Sequence, residues 1–157
     1  MNRRDAIKAT VVGGMMMLGQ SRALAKVYYP SQVDQKLWKG INRVENPGEE
    51  TDLEKLHSPV IEAPDKVKVG EAFPVEVTVG RLPHPMVPAH WIEHVQLNIG
   101  NEPVGTVIFQ SHGYVKAATK FSVALDHESK GKTVSLIVEI KCNLHGIWQN
   151  HANVKVA

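Results

Sequence analysis

The chain reads as an all-β protein, an immunoglobulin-like antiparallel β-sandwich of about seven strands, and two features point there. Residues 66–69, 73–79, 92–99, 104–109, 115–125, 133–140 and 147–156 each combine β-branched or aromatic residues with partial apolar–polar alternation, the period of half-buried strands. Turn signals part them: Gly70-Glu71, Gly80, Gly100-Asn101-Glu102-Pro103, Ser111-His112-Gly113 and the stretch 127–132. Cys142 is the only cysteine in 157 residues, so no disulfide framework supports the fold, and the 43% hydrophobic residues must build its core.

Taken from the N-terminus, residues 1–25 read as a targeting segment. Asn2-Arg3-Arg4-Asp5 with Lys8 forms a charged start, an apolar run follows from Ala9 to Leu18, and Ala23-Leu24-Ala25 is a small-x-small cleavage site. The run is too short to span a bilayer. The paired arginines resemble a twin-arginine signal, which places the mature protein in the periplasm or otherwise outside the cytoplasm. Residues 26–52 are polar, with Asn46-Pro47-Gly48 as a turn signal, and read as an arm carrying one short helix around residues 33–38. Residues 53–157 form the domain proper.

Charge narrows the choice of partners. The full chain has 18 Lys and Arg against 16 Asp and Glu. Removing Arg3, Arg4, Lys8 and Arg22 together with Asp5 leaves 14 basic residues against 15 acidic ones, a mature charge near −1. Nucleic acid and anionic membrane both demand a net basic footprint, so neither is expected as a partner, and the mature form is not expected to insert stably in a membrane.

Chemistry gathers at five residues. Cys142 stands three positions before His145 in Cys142-Asn143-Leu144-His145-Gly146, His84 and His90 bracket a loop stiffened by Pro85 and Pro88, and His57 precedes Pro59. All five fall on loops or strand ends, where a rigid sandwich carries functional groups. A lone thiol near imidazoles is a metal ligand or a nucleophile, and four histidines with one thiolate exceed a closed tetrahedral zinc site. A metal of higher coordination number suits them better. His94, opposite in parity to Val95 and Leu97, is expected on the solvated face, and His112, His127 and His151 at the surface. Met86 is expected to pack, and Trp91 and Trp148 to wall the imidazoles.

The segments Glu54-Lys55-Leu56-His57-Ser58-Pro59, His84-Pro85-Met86 with His90, and Cys142-Asn143-Leu144-His145-Gly146-Ile147-Trp148 resemble superoxide reductases of the neelaredoxin and desulfoferrodoxin type. The resemblance implies one iron ion per chain, held by His57, His84, His90 and His145 in a plane with the Cys142 thiolate axial. The implied reaction is one-electron reduction of superoxide to hydrogen peroxide. It also implies an electron-donor protein, rubredoxin-like or a c-type cytochrome, and a homo-oligomer. The four-cysteine domain of desulfoferrodoxins cannot be built from a single cysteine, so the likeness is to the one-iron class. One departure stands out. The family's Glu-Lys pair directly precedes the first histidine, whereas here Leu56 intervenes, and a local bulge is expected to restore Glu54 and Lys55 to catalytic positions. A copper or zinc sandwich protein without superoxide chemistry is the competing reading, although no methionine follows Cys142 to serve as a copper axial ligand.

Overall fold

The computed structural model describes residues 35–157; the expected targeting segment and the start of the arm lie outside the described residues. Two short helices, α1 (Gln35–Trp38) and α2 (Asp52–His57), accompany the strands. These are β1 (Ile41–Asn42), β2 (Pro59–Glu62), β3 (Lys66–Val67), β4 (Phe73–Val79), β5 (Ile92–Ile99), β6 (Glu102–Ile108), β7 (Ala118–Val123), β8 (Thr133–Cys142) and β9 (Gly146–Val156). None of the described helices is long and apolar enough to cross a membrane.

The strands form two sheets packed on one core. One runs β1-β9-β8-β5-β6 with β3 also against β9, and the other runs β2-β4-β7. In β4, Phe73, Val75, Val77 and Val79 are buried while the intervening residues face solvent, the alternation expected of a sheet with one dry face. They share the core with Val95 and Leu97 of β5 and with Leu136, Val138 and Ile140 of β8. Each such side chain contributes about 1.5–3 kcal/mol when fully buried.

Several boundaries differ from the sequence reading. The pairing is not wholly antiparallel, because β1 and β3 both run parallel to β9; with only two residues each, they show no period to read. The strand expected from residue 104 begins at Glu102, since Gly100 at φ +58 makes the turn with Asn101 alone. The strand expected over 115–125 shortens to Ala118–Val123, and the one expected to end at residue 140 runs on to Cys142. The short helix expected around residues 33–38 is present over Gln35–Trp38, the part that is described.

Helix α2 and strand β2 lie outside the strands and helix that the sequence pattern marks, and they decide where His57 points. Thr51 caps the helix: its Oγ1 accepts from Glu54 N at 3.2 Å, and the Glu54 carboxylate accepts from Thr51 N at 2.7 Å, a reciprocal capping box. The other end is gripped by the turn after β4. Arg81 N and Leu82 N donate to Lys55 O at 2.8 and 3.1 Å, and Gly80 N donates to Ser58 O at 3.1 Å. Gly80 adopts φ +78, and a Cβ there would stand 2.4 Å from Leu56 O. Gly80→Ala is therefore expected to destabilise the protein by more than about 1 kcal/mol, read as a lower guanidinium midpoint, and to weaken metal retention because the clash falls beside His57.

Candidate metal centre

Three segments distant in sequence bring their imidazoles to one end of the sandwich. His57 is the last residue of α2. His84 and His90 come from the loop between β4 and β5, where Val87 and His90 exchange backbone hydrogen bonds at 3.1 and 2.9 Å and close a tight turn over Pro88 and Ala89. Cys142 ends β8, and His145 lies in the three-residue connection to β9, which Gly146 enters at φ +73. A register shift in β5 between Ile92 and His94, opposite Cys142, marks a bulge at the same end.

The four rings stand in a square. Neighbours around it, His57–His84, His84–His90, His90–His145 and His145–His57, have centroids 4.7, 4.5, 4.8 and 4.7 Å apart and meet edge to face. Across the square, His57 and His90 are 5.8 Å apart. The inward nitrogens are close: His57 Nε2 lies 3.1 Å from His84 Nε2 and 3.0 Å from His145 Nδ1, which is 3.2 Å from His90 Nε2. Cys142 Sγ is 3.2 Å from His90 Nε2 and 3.6 Å from His145 Nδ1. The donor atoms of His57, His90, Cys142 and His145 all fall within 4.8 Å of one another.

These contacts fit a metal ion and little else. His57 Nδ1 donates to Leu53 O at 2.8 Å and His84 Nδ1 donates to Pro85 O at 2.6 Å. Each ring therefore carries its lone pair on Nε2, and the two lone pairs face each other at 3.1 Å with no proton between them. Only a cation makes that approach favourable, and backbone acceptors behind the ligating rings are the usual outer partners of metal-bound histidine. The spacing agrees: nitrogens about 2.1 Å from an ion and at right angles to each other stand about 3 Å apart.

Burial prepares the same state. It pushes the pKa of His57 down to about 4, of His84 to about 3 and of His90 to about 4, with the neighbouring imidazoles adding to the effect. All three rings are neutral near pH 7. Burial also raises the Cys142 thiol, while backbone hydrogen bonds at Leu144 and His145 act the other way; a bound cation supplies what is needed to ionise it.

Around this core lies a supporting layer. Asn143 Oδ1 accepts from Trp91 N at 2.9 Å and its Nδ2 donates to Ala89 O at 3.1 Å, so the residue between the two C-terminal ligands clamps both neighbours of His90. Trp148, buried, stacks on His57 at 5.2 Å and donates to His145 O at 3.0 Å. Met86 is buried and its Sδ accepts from Ile92 N at 3.4 Å, a packing role. The side-chain roles of Asn143 carry no periodic or compositional signal, and its place inside the Cys-x-x-His spacing is the only hint.

The expected bulge before His57 is absent. α2 is continuous, and in a helix each residue turns by about 100°, so Lys55 projects on a different face from His57. Its Nζ lies 3.8 Å from Asp52 Oδ1. The Glu54 carboxylate is engaged by Glu45 N, Thr51 N and Thr51 Oγ1 at 2.9, 2.7 and 2.8 Å, which hold its pKa below the usual range. Those contacts make it a helix cap. His94 is half-buried on the sheet's outer face, with burial lowering its pKa, while His112, His127 and His151 are exposed.

Fold and site together define a β-sandwich metalloprotein with a mononuclear four-histidine, one-cysteine donor set. The desulfoferrodoxin family model matches residues 49–151, and the chain belongs to that family. A relative from Methanocaldococcus jannaschii is 36% identical over 110 residues, covering 70% of this chain and 89% of its own. The superoxide reductase of Thermococcus kodakarensis is 34% identical over 106 residues, 63% of this chain and 87% of that protein. Among solved structures, the superoxide reductase (neelaredoxin) of Ignicoccus hospitalis superposes with a TM-score of 0.63 at 32% identity, covering 80% of this chain and all of that one.

The depressed imidazoles set the acid behaviour of the metal-free protein. Histidines of the unfolded chain take up protons below about pH 6.5, while His57, His84 and His90 stay neutral in the fold until about pH 4 or below. Stability is thus expected to fall as pH drops through that window and to be insensitive to these groups above it. Guanidinium midpoints of the metal-free protein at about pH 7.5 and about pH 5 measure this, the latter being lower.

Proposed function

We propose that the chain is a superoxide reductase, reducing superoxide by one electron to hydrogen peroxide at a single iron held by His57, His84, His90, His145 and Cys142. The observation that carries the reading is the inward-facing square of imidazoles beside one thiol, in a chain of the desulfoferrodoxin family. When bound, iron supplies the one-electron chemistry. The protein's part is to keep His57, His84 and His90 neutral and to set the Cys142 sulfur where a bound cation would ionise it, so that a ferrous site would carry a formal charge of about +1 and attract a small anion. With iron bound, Cys142 would serve as its thiolate ligand, a donor that would favour loss of an electron from the metal. Zinc in a closed site would use four donors and leave one idle, so the five-donor set disfavours the zinc alternative.

Partners and location follow as further proposals. Each turnover consumes one electron, so a rubredoxin-like protein or a c-type cytochrome must replenish it. The twin-arginine-like start supports export to the periplasm with cleavage after Ala25. A homo-oligomer is proposed on the resemblance of the sequence motifs to the one-iron class alone. The immunoglobulin-like description is likewise inferred: β2-β4-β7 facing β9-β8-β5-β6 corresponds to the two-sheet order of such sandwiches. Of the displaced pair, Lys55 retains a role only through its charge, because the Glu54 oxygens are taken by the cap.

Two measurements test the reading. Iron-loaded wild type mixed rapidly with superoxide should be oxidised stoichiometrically with peroxide formed, whereas Cys142→Ser should lose the sulfur-to-iron(III) absorption band and at least about tenfold in rate; equal rates for both would end the thiolate's role. Lys55→Ala is expected to slow the second-order reaction by less than about tenfold and to flatten its dependence on salt. An unchanged salt dependence would remove Lys55 from the reaction.

A further inference from the structure

An amide outside the family-matched residues holds the turn that carries two of the ligands. Asn42, on β1, donates through Nδ2 to Ile147 O at 2.8 Å and to Leu37 O at 2.9 Å, and reaches His145 O at 3.5 Å. One side chain thus ties the arm to the carbonyls on both sides of Gly146. The backbones fit as closely: Ile41 pairs with Ile147 and Asn42 with Trp148. A Cβ at Gly146 would stand 2.6 Å from Leu37 O and 3.0 Å from Trp38 Cα. The His145 carbonyl also receives Trp148 Nε1–H, and that indole stacks on His57. Any shift of the His145 backbone therefore reaches a second imidazole.

We propose that Asn42 is a positioning residue for the metal centre: residues 37–42 form a clasp that fixes the His145 backbone against Cys142, and so sets how tightly sulfur and imidazole hold the ion. Outer contacts of this kind orient metal ligands and tune affinity. The inference deepens the iron–thiolate reading and rests on it.

The test compares wild type, Asn42→Asp and Asn42→Gln, each loaded with ferrous iron and then oxidised, by visible absorption and by iron release to excess chelator, with circular dichroism reporting the fold. Aspartate is isosteric but presents an oxygen to carbonyls that the amide served as donor. Glutamine keeps the donor on a stem one methylene longer. The Asp variant is expected to shift the sulfur-to-iron(III) band and to release iron about tenfold faster, with the Gln variant in between. Band positions and release rates that coincide with wild type in both variants, whatever their melting temperatures, overturn the clasp. If the Asp variant does not fold, the Gln variant decides on the same two readouts. A wild type that binds iron without such a band overturns the ligand set and the clasp with it, whereas a normal wild-type band with unchanged variants overturns the clasp alone.

Discussion

Two lone pairs pointed at each other across 3.1 Å, on the Nε2 atoms of His57 and His84, are the constraint on which this structure turns. Rotating either ring would relieve the contact but break its bond to a backbone carbonyl, Leu53 O or Pro85 O, and strand a buried donor at a cost of about 1–3 kcal/mol. Protonating either ring would relieve it too, but burial has moved that option far below neutral pH. A cation resolves the conflict without disturbing either partner. Metal affinity here is therefore written into the backbone as much as into the donors, since the carbonyls select the tautomer that ligates.

The same site acts as a cross-link. His57 is 27 residues from His84 and 88 from His145, and His90 is 52 from Cys142. An ion bound to all of them closes several long loops of the unfolded chain at once, the situation in which a staple offsets the most conformational entropy. With no disulfide among its described residues, the protein relies at the metal end on the five donors and on hydrogen bonds such as those from Arg81 N and Leu82 N to Lys55 O to join α2, the loop after β4 and the β8–β9 hairpin. Asn143 adds a metal-independent tie between the hairpin and the His90 loop.

How much of this was legible from the residues depends on the length of each signal. The long strands announce themselves by alternation, as β4 does over Phe73–Val79, and the five ligand candidates stand out because imidazoles near a lone thiol are rare at strand ends. β1 and β3 could not be read, since two residues make no period and their partner β9 is remote in sequence. α2 did carry a signal, Thr51 three residues before Glu54, the spacing of a capping box. The resemblance to the family's Glu-Lys pair masks that signal, because it points the same glutamate toward chemistry. Nor does any residue pattern reveal that His145 turns Nδ1 inward while the other three rings turn Nε2.

Leu56 then acquires a structural meaning. Adding one residue to an extended segment would flip the preceding side chains to the other face, but in a helix it rotates them by about 100°. The rotation, with Thr51 waiting at the N-cap, converts Glu54 into the reciprocal partner of that cap and turns Lys55 toward Asp52. The helix thereby becomes stiff up to its last residue, which is the ligand. With the Glu54 oxygens held by the cap and Lys55 beside Asp52, the attraction of a small anion falls mainly to the metal's own excess charge over a single thiolate.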